Sequence, residues 1–108
     1  MFYKVSARLK ENTAGELRRK LLDGTIENQK PDGQEIVASM RRAVKTKAGD
    51  IEWSEVCYCQ RPLDHERTTV YDLHFSKLRT EAIDGYKRHE GRPFMELLDE
   101  LASVSGGE

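Results

Sequence analysis

Apolar and polar positions alternate from the start of the chain. Tyr3, Val5, Ala7 and Leu9 fall on one side of residues 2–9, with Phe2, Lys4, Ser6 and Arg8 on the other. A two-residue period sets one face of an extended segment against a core, so a half-buried strand is predicted here. The period then changes. Thr13 stands three residues before Glu16, the spacing at which each side chain reaches the other residue's backbone N–H, and Ala14, Leu17, Leu21 and Leu22 line one helical face that Gly24 ends. Thr25 to Gly33 is a long polar connection closing on Pro31-Asp32-Gly33, turn chemistry in a loop long enough to carry function.

Residues 35–60 fit two periods. Ile36, Val37, Met40, Ala43 and Val44 make a helical stripe, whereas Ile36, Ala38, Met40 and Val44 share one face of a strand. The strand is preferred because Ala48-Gly49-Asp50 offers a turn, and Ile51 to Cys59, with Trp53, Val56 and Tyr58, offers a partner. With Val44 opposite Ile51, Arg42 faces Trp53, Met40 faces Glu55, Ala38 faces Cys57 and Ile36 faces Cys59. Residues 62–78 carry Leu63, Val70, Tyr71, His74, Phe75 and Leu78 at helical spacing. Tyr71, Leu73 and Phe75 alternate equally well as a strand, and Thr68-Thr69-Val70 is β-branched, but Pro62, followed by Asp64 and Glu66, favours a helix start there. Arg79 to Tyr86 is predicted as a short strand, and Arg92-Pro93 opens a last helix with Phe94, Leu97, Leu98 and Leu101 in one stripe.

The resulting order, β-α-β-β-α-β plus a C-terminal helix, predicts an α+β protein: a four-stranded antiparallel sheet with helices on one face, the ferredoxin-like arrangement. In element order and length the chain resembles the dimeric α+β-barrel superfamily, in which two such sheets pack face to face. The resemblance runs over the whole chain as a pattern of elements and brings no catalytic residue with it. A single domain over 1–102 and a small, polar, flexible tail over 103–108 are expected. Helices on one face leave the other bare, with Phe2, Val37, Val56 and Tyr58 on it, and pairing two such faces implies a homodimer.

Composition narrows the partners. With 18 Lys+Arg against 19 Asp+Glu the chain has no basic excess, which argues against a nucleic-acid surface. No run of about 20 apolar residues provides a membrane span, and Met1 to Val5 lack the apolar core of a signal peptide, so a cytoplasmic protein is expected. Cys57 and Cys59, two apart on a predicted strand, point to one face at a separation that discourages a disulfide. They are read as small buried hydrophobes, and no metal or cofactor is expected; a metal site with His65 and His89 is the competing reading, without the usual Cys-x-x-Cys spacing.

Candidate chemistry falls in two places. The predicted topology gathers Asn28, Gln29, Asp32, Arg61, His65, Asp84 and His89 at one end of the molecule, near Cys59. Between sheet and helices, Met40, Trp53, Tyr58, Tyr71 and Phe75 line the expected cavity, with His74 or His65 as a proton shuttle and Arg42 or Arg61 anchoring an anionic group. The expected function is that of a small homodimer that binds or transforms a small organic ligand. The alternative is a non-catalytic interaction module docking through the apolar stripe of its last helix.

Overall fold

The alternation at the N-terminus produces strand β1 (Phe2–Leu9) in the computed structural model, which describes residues 1–105. Tyr3, Val5 and Ala7 are buried, and β1 lies between β3 (Ile51–Val56) and β4 (Phe75–Ile83), antiparallel to both. Two short strands, β2 (Val44–Lys45) and β5 (Arg92–Pro93), complete a five-stranded antiparallel sheet in the order β4-β1-β3-β2-β5. The β1–β4 register shifts between Ser6 and Arg8, close to Lys77, whose φ of 54° takes up a left-handed kink of the kind a bulge requires. The protein is therefore α+β, with four helices among the described residues: α1 (Ala14–Leu22), α2 (Gly33–Arg42), α3 (residues 64–74) and α4 (Phe94–Ser105). Among the described residues no helix is long and apolar enough to cross a membrane.

The expected capping box does not form. Thr13 donates its hydroxyl to the Lys10 carbonyl, closing a 3-10 turn over Glu11–Thr13 ahead of α1.

The main correction concerns residues 35–46. As far as Arg42 they belong to α2 rather than to a long strand, with Ile36, Val37, Ser39 and Met40 buried along one side, and only Val44 and Lys45 are extended in a strand. The hairpin survives only at its tip. Val44 pairs with Glu52 and Lys45 with Ile51, one residue out of the expected register, and Thr46 and Asp50 close the turn. Where β2 stops, α2 takes over the edge of β3 through side chains: Glu35 Oε2 accepts the Val56 N–H at 3.0 Å, and Arg42 donates to the Ser54 carbonyl at 2.9 Å. These two bonds replace ladder bonds that a neighbouring strand would have made, so the buried edge keeps its backbone groups satisfied. Gly33 is obligatory at the start of α2, because a Cβ there would sit 2.0 Å from the Ile26 carbonyl oxygen. Ile26 itself is buried, so the connection from α1 is tucked beneath α2.

The boundary after α3 also moves. The chain passes from helix to strand at Phe75 without an intervening turn, so the strand expected over 79–86 begins four residues earlier and ends at Ile83. Arg92–Pro93 pairs with β2 before α4 begins, and the Phe94 N–H donates to the Ala43 carbonyl. Of the expected tail, 103–105 continue α4, and 106–108 lie outside the described residues.

One core joins the inner face of β1 and β3 to the helices, through Leu17, Leu21, Ile36, Met40, Leu63, Leu97 and Leu98. Its centre is aromatic. Trp53 lies 5.2 Å from Tyr71 and 5.3 Å from Phe75, and Phe75 lies 5.9 Å from Phe94, in the tilted arrangements that ring quadrupoles favour. Part of the opposite face of the sheet is not bare. The segment 84–91 crosses it, Tyr86 meeting Phe2 edge-on at 5.0 Å and Ser54 bonding to Lys87 and His89. Of the four residues expected on an uncovered face, Phe2 is thus partly covered, and Val37 belongs to the core as part of α2.

Candidate functional site

β3 ends at Val56, and the next residues turn away from the sheet towards α3. Cys57 stays anchored there: its N–H donates to the Met1 carbonyl, and the Met1 amino group donates to the Cys57 carbonyl at 3.1 Å. The Cys59 N–H donates to Cys57 Sγ at 3.3 Å, which folds the two cysteines towards each other through a turn rather than along a strand. Leu63, buried and in the left-handed region at φ 57°, then redirects the chain into α3. Its burial offsets a conformation that costs a non-glycine residue on the order of 1 kcal/mol or more. The first turn of α3 brings Glu66 inward, 1% exposed, with Oε1 3.6 Å from both Cys57 Sγ and Cys59 Sγ. The helix widens to a π turn over Arg67–Tyr71 immediately afterwards, a feature that often marks functional positions.

The loop before α2 supplies the other wall. Asp32 stands at the N-cap position of α2 but leaves the helix uncapped, and its Oδ2 instead lies 2.7 Å from Nδ1 of His65. The bond orients the ring and leaves Nε2 uncommitted by it. Asp32 Oδ1 is buried with no hydrogen-bond partner among the described residues. Pro31, Asp32, Glu35, Val56, Cys57, Tyr58, Cys59 and Glu66 together enclose a hollow of about 280 Å³.

Burial, followed by the hydrogen bond with Cys59, pushes the Cys57 thiol up to about 12, so it carries its proton at neutral pH. Behind the hollow, Glu55 is wholly buried. Loss of water pushes its carboxyl up to about 8, against the pull of hydrogen bonds from Tyr71 (2.5 Å) and Trp53 (2.8 Å) to Oε1. Its Oε2 has no partner among the described residues. Glu35 Oε2 collects the Val56 N–H, Arg42 and the Tyr86 hydroxyl, and the Arg42 guanidinium lies 4.4 Å over the Tyr86 ring.

The structure thus brings together Asp32, His65, Tyr58 and Cys59 from the expected residues. Gln29 lies close by, donating to Thr69 at 2.8 Å. Trp53 and Tyr71 are core side chains packed on each other, and Arg42 is held by Glu35, Ser54 and Tyr86. Arg61 is exposed in a separate hollow of about 430 Å³ with Asp64, Arg67 and Asp72. His89 is across the sheet, 2.8 Å from Ser54 Oγ and 3.7 Å from Glu52, and Asp84 is exposed beyond β4. His74 is buried away from the hollow, with Nδ1 2.9 Å from Thr13 Oγ1. Because that hydroxyl gives its own proton to Lys10, the ring donates through Nδ1, and Nε2 is left buried without a partner among the described residues. Burial, reinforced by Lys20, pushes His74 down to about 4 and keeps the ring neutral.

Two site residues went unread in the sequence. The sequence offers Glu66 as a first-turn charge, but it also shares the inward stripe of Leu63, Val70 and His74, and that shared spacing is the available signal. Glu35 gave no signal, since its role depends on α2 lying along the β3 edge. Comparison with protein-family models, curated protein sequences and solved structures returns no match.

Proposed function

We propose that this chain is a small-ligand-binding domain whose site is the hollow at the end of β3, and that its ligand is cationic. One observation carries the proposal: of the three carboxylates lining the hollow, Asp32 is held by His65 and Glu35 by Arg42, while Glu66, beside two thiols, has no basic partner among the described residues. Glu66 is the sharpest case. Among the described residues no lysine, arginine or histidine pairs with it, and it accepts hydrogen bonds from two thiols. A buried carboxylate without a counter-charge is costly, and an incoming cation removes that cost. Tyr58, 89% exposed at the rim, adds a ring face of the kind that attracts cations.

The ferredoxin-like reading enters the same proposal through strand order. The first four strands lie β4-β1-β3-β2, which supports a ferredoxin-like sheet extended by β5, with the pair α1–α2 in place of one crossover helix. A cytoplasmic homodimer goes with that reading. Light scattering tests the dimer: twice the chain mass supports it, and the single-chain mass overturns it.

A thermal-stabilisation screen over cationic, neutral and anionic small molecules tests the binding proposal, followed by amide NMR of each stabilising compound. Cationic compounds are expected to stabilise and to shift the amides of residues 31–35 and 56–66, leaving the Trp53 indole N–H in place. Stabilisation by anions alone, or shifts centred on Trp53 and Tyr71, would overturn it.

A further inference from the structure

Cys57, Cys59 and Glu66 bring two sulfurs and a carboxylate oxygen to within 4.8 Å of one another. The two sulfur–oxygen separations are each 3.6 Å. In a tetrahedral zinc site, with Zn–S of about 2.3 Å and Zn–O of about 2.0 Å, the edge between a sulfur and an oxygen is about 3.5 Å. Both pairs therefore already lie at the edge length of a zinc tetrahedron. The framework around them is fixed: Cys57 by its two backbone bonds to Met1, Cys59 by its N–H on Cys57 Sγ, and Glu66 by the burial of Val70 and Tyr71 on the same helix and of Leu63 just ahead of it. In the metal-free chain each contact is a thiol S–H donated to Glu66 Oε1, so the two sulfurs and the oxygen already converge, and a metal would take the place of the two protons.

Ligand softness selects the ion. Two thiols disfavour magnesium and calcium, which take oxygen ligands, and favour zinc and its thiophilic neighbours. Three protein ligands leave one tetrahedral position, and the hollow is where it opens. His65, next to Glu66 in the chain, is oriented by Asp32.

We propose that Cys57, Cys59 and Glu66 bind one thiophilic divalent cation, zinc in the first instance, with the fourth position open to the hollow. The proposal rests on the reading of the hollow as a cation site and narrows it to a metal. On binding, each S–H bond breaks, its proton passes to solvent, and the sulfur's electron pair forms the bond to the metal; nothing is oxidised or reduced. The ion thereby supplies the positive charge that Glu66 lacks.

The test uses the full chain, metal-free and with its cysteines reduced, titrated with cobalt(II) as a spectroscopic stand-in for zinc. One equivalent is expected to give thiolate-to-cobalt charge-transfer absorption with the visible bands of a tetrahedral ion, all bleached by one equivalent of zinc. Cys57→Ser and Cys59→Ser should each lower the charge-transfer absorption by about half and weaken binding at least tenfold. Glu66→Gln should weaken it about tenfold with both sulfurs retained. Far-ultraviolet circular dichroism of each metal-free variant checks that it is folded, and Cys59→Ala, at a half-buried position, is the variant least exposed to misfolding. No stoichiometric binding, binding unchanged in the cysteine variants, or an octahedral spectrum would overturn the metal site. Failure here together with an organic cation that maps to the hollow would leave the binding proposal standing. Failure of both would remove the cation reading altogether.

Discussion

Glu55→Gln removes a charge from the centre of the fold while keeping its shape. The parent carboxyl sits at 0% exposure, and burial raises it from an ordinary 4.5 to about 8. A raised folded-state value means that the native protein holds a proton which the unfolded chain gives up earlier. The stability linked to that proton is complete below about pH 4.5 and is lost as pH rises towards 8. At about 1.36 kcal/mol per unit, the shift corresponds to about 5 kcal/mol in full, under ~1 of which is lost by pH 5 and ~4 by pH 8. Glutamine stays neutral throughout, and its amide oxygen still accepts from Trp53 and Tyr71. The variant is therefore expected to match the parent near pH 5 and to exceed it by up to ~4 kcal/mol at pH 8. Urea unfolding at half-unit pH steps reads this directly. The chain's one tryptophan reports the core, and circular dichroism guards against a change confined to that ring. Parallel stability profiles for the two proteins, or a variant less stable than the parent at pH 8, would refute the reasoning.

Other perturbations have equally definite outcomes. His74 is held down to about 4, so below its ordinary 6.5 the unfolded chain takes a proton that the native state refuses; stability falls between pH 6.5 and 4, by at most ~3 kcal/mol and less to the degree that water reaches the ring. NMR titration should show the His74 ring unchanged until close to pH 4. Gly33→Ala places a Cβ against the Ile26 carbonyl and should cost more than ~2 kcal/mol in urea unfolding, with α2 displaced. Arg42→Met keeps the apolar stem but loses the bond to the Ser54 carbonyl, the pairing with Glu35 and the Tyr86 stacking; a loss of ~1–2 kcal/mol and faster hydrogen exchange at the Val56 N–H are expected.

What the sequence revealed depended on how many periods a segment satisfies. Residues 2–9 fit one period, and β1 lies where the alternation puts it. Residues 36–44 fit two, and the choice rested on the offer of a partner strand in 51–59. The local helix signals were present: Asp32 ahead of the segment, Glu35 in its first turn, Arg41 and Arg42 in its last. They outweigh the pairing argument because Glu35 and Arg42 satisfy the β3 edge from a helix as well as a strand would. At Phe75 no glycine, proline or asparagine separates helix from strand, so nothing in the local pattern marks the boundary. Asp32 and His65 were placed at one end from the order of elements and do meet, since the loop ahead of residue 33 and the chain leaving β3 adjoin whether 35–46 is strand or helix. Glu55 and Glu66 were not legible as buried acids. Charged residues are ordinarily given to solvent, and only packing from three separate segments encloses these two.

The proposed pairing of the end of β3 with the first turn of α3 into one cation site is tested most directly by X-ray absorption at the zinc edge of the zinc-loaded chain. The expected shell is two sulfurs at about 2.3 Å with lighter oxygen or nitrogen neighbours at about 2.0 Å, the sulfur contribution falling to one in Cys59→Ser. A shell of oxygen and nitrogen alone, or one unaffected by that substitution, would contradict the account.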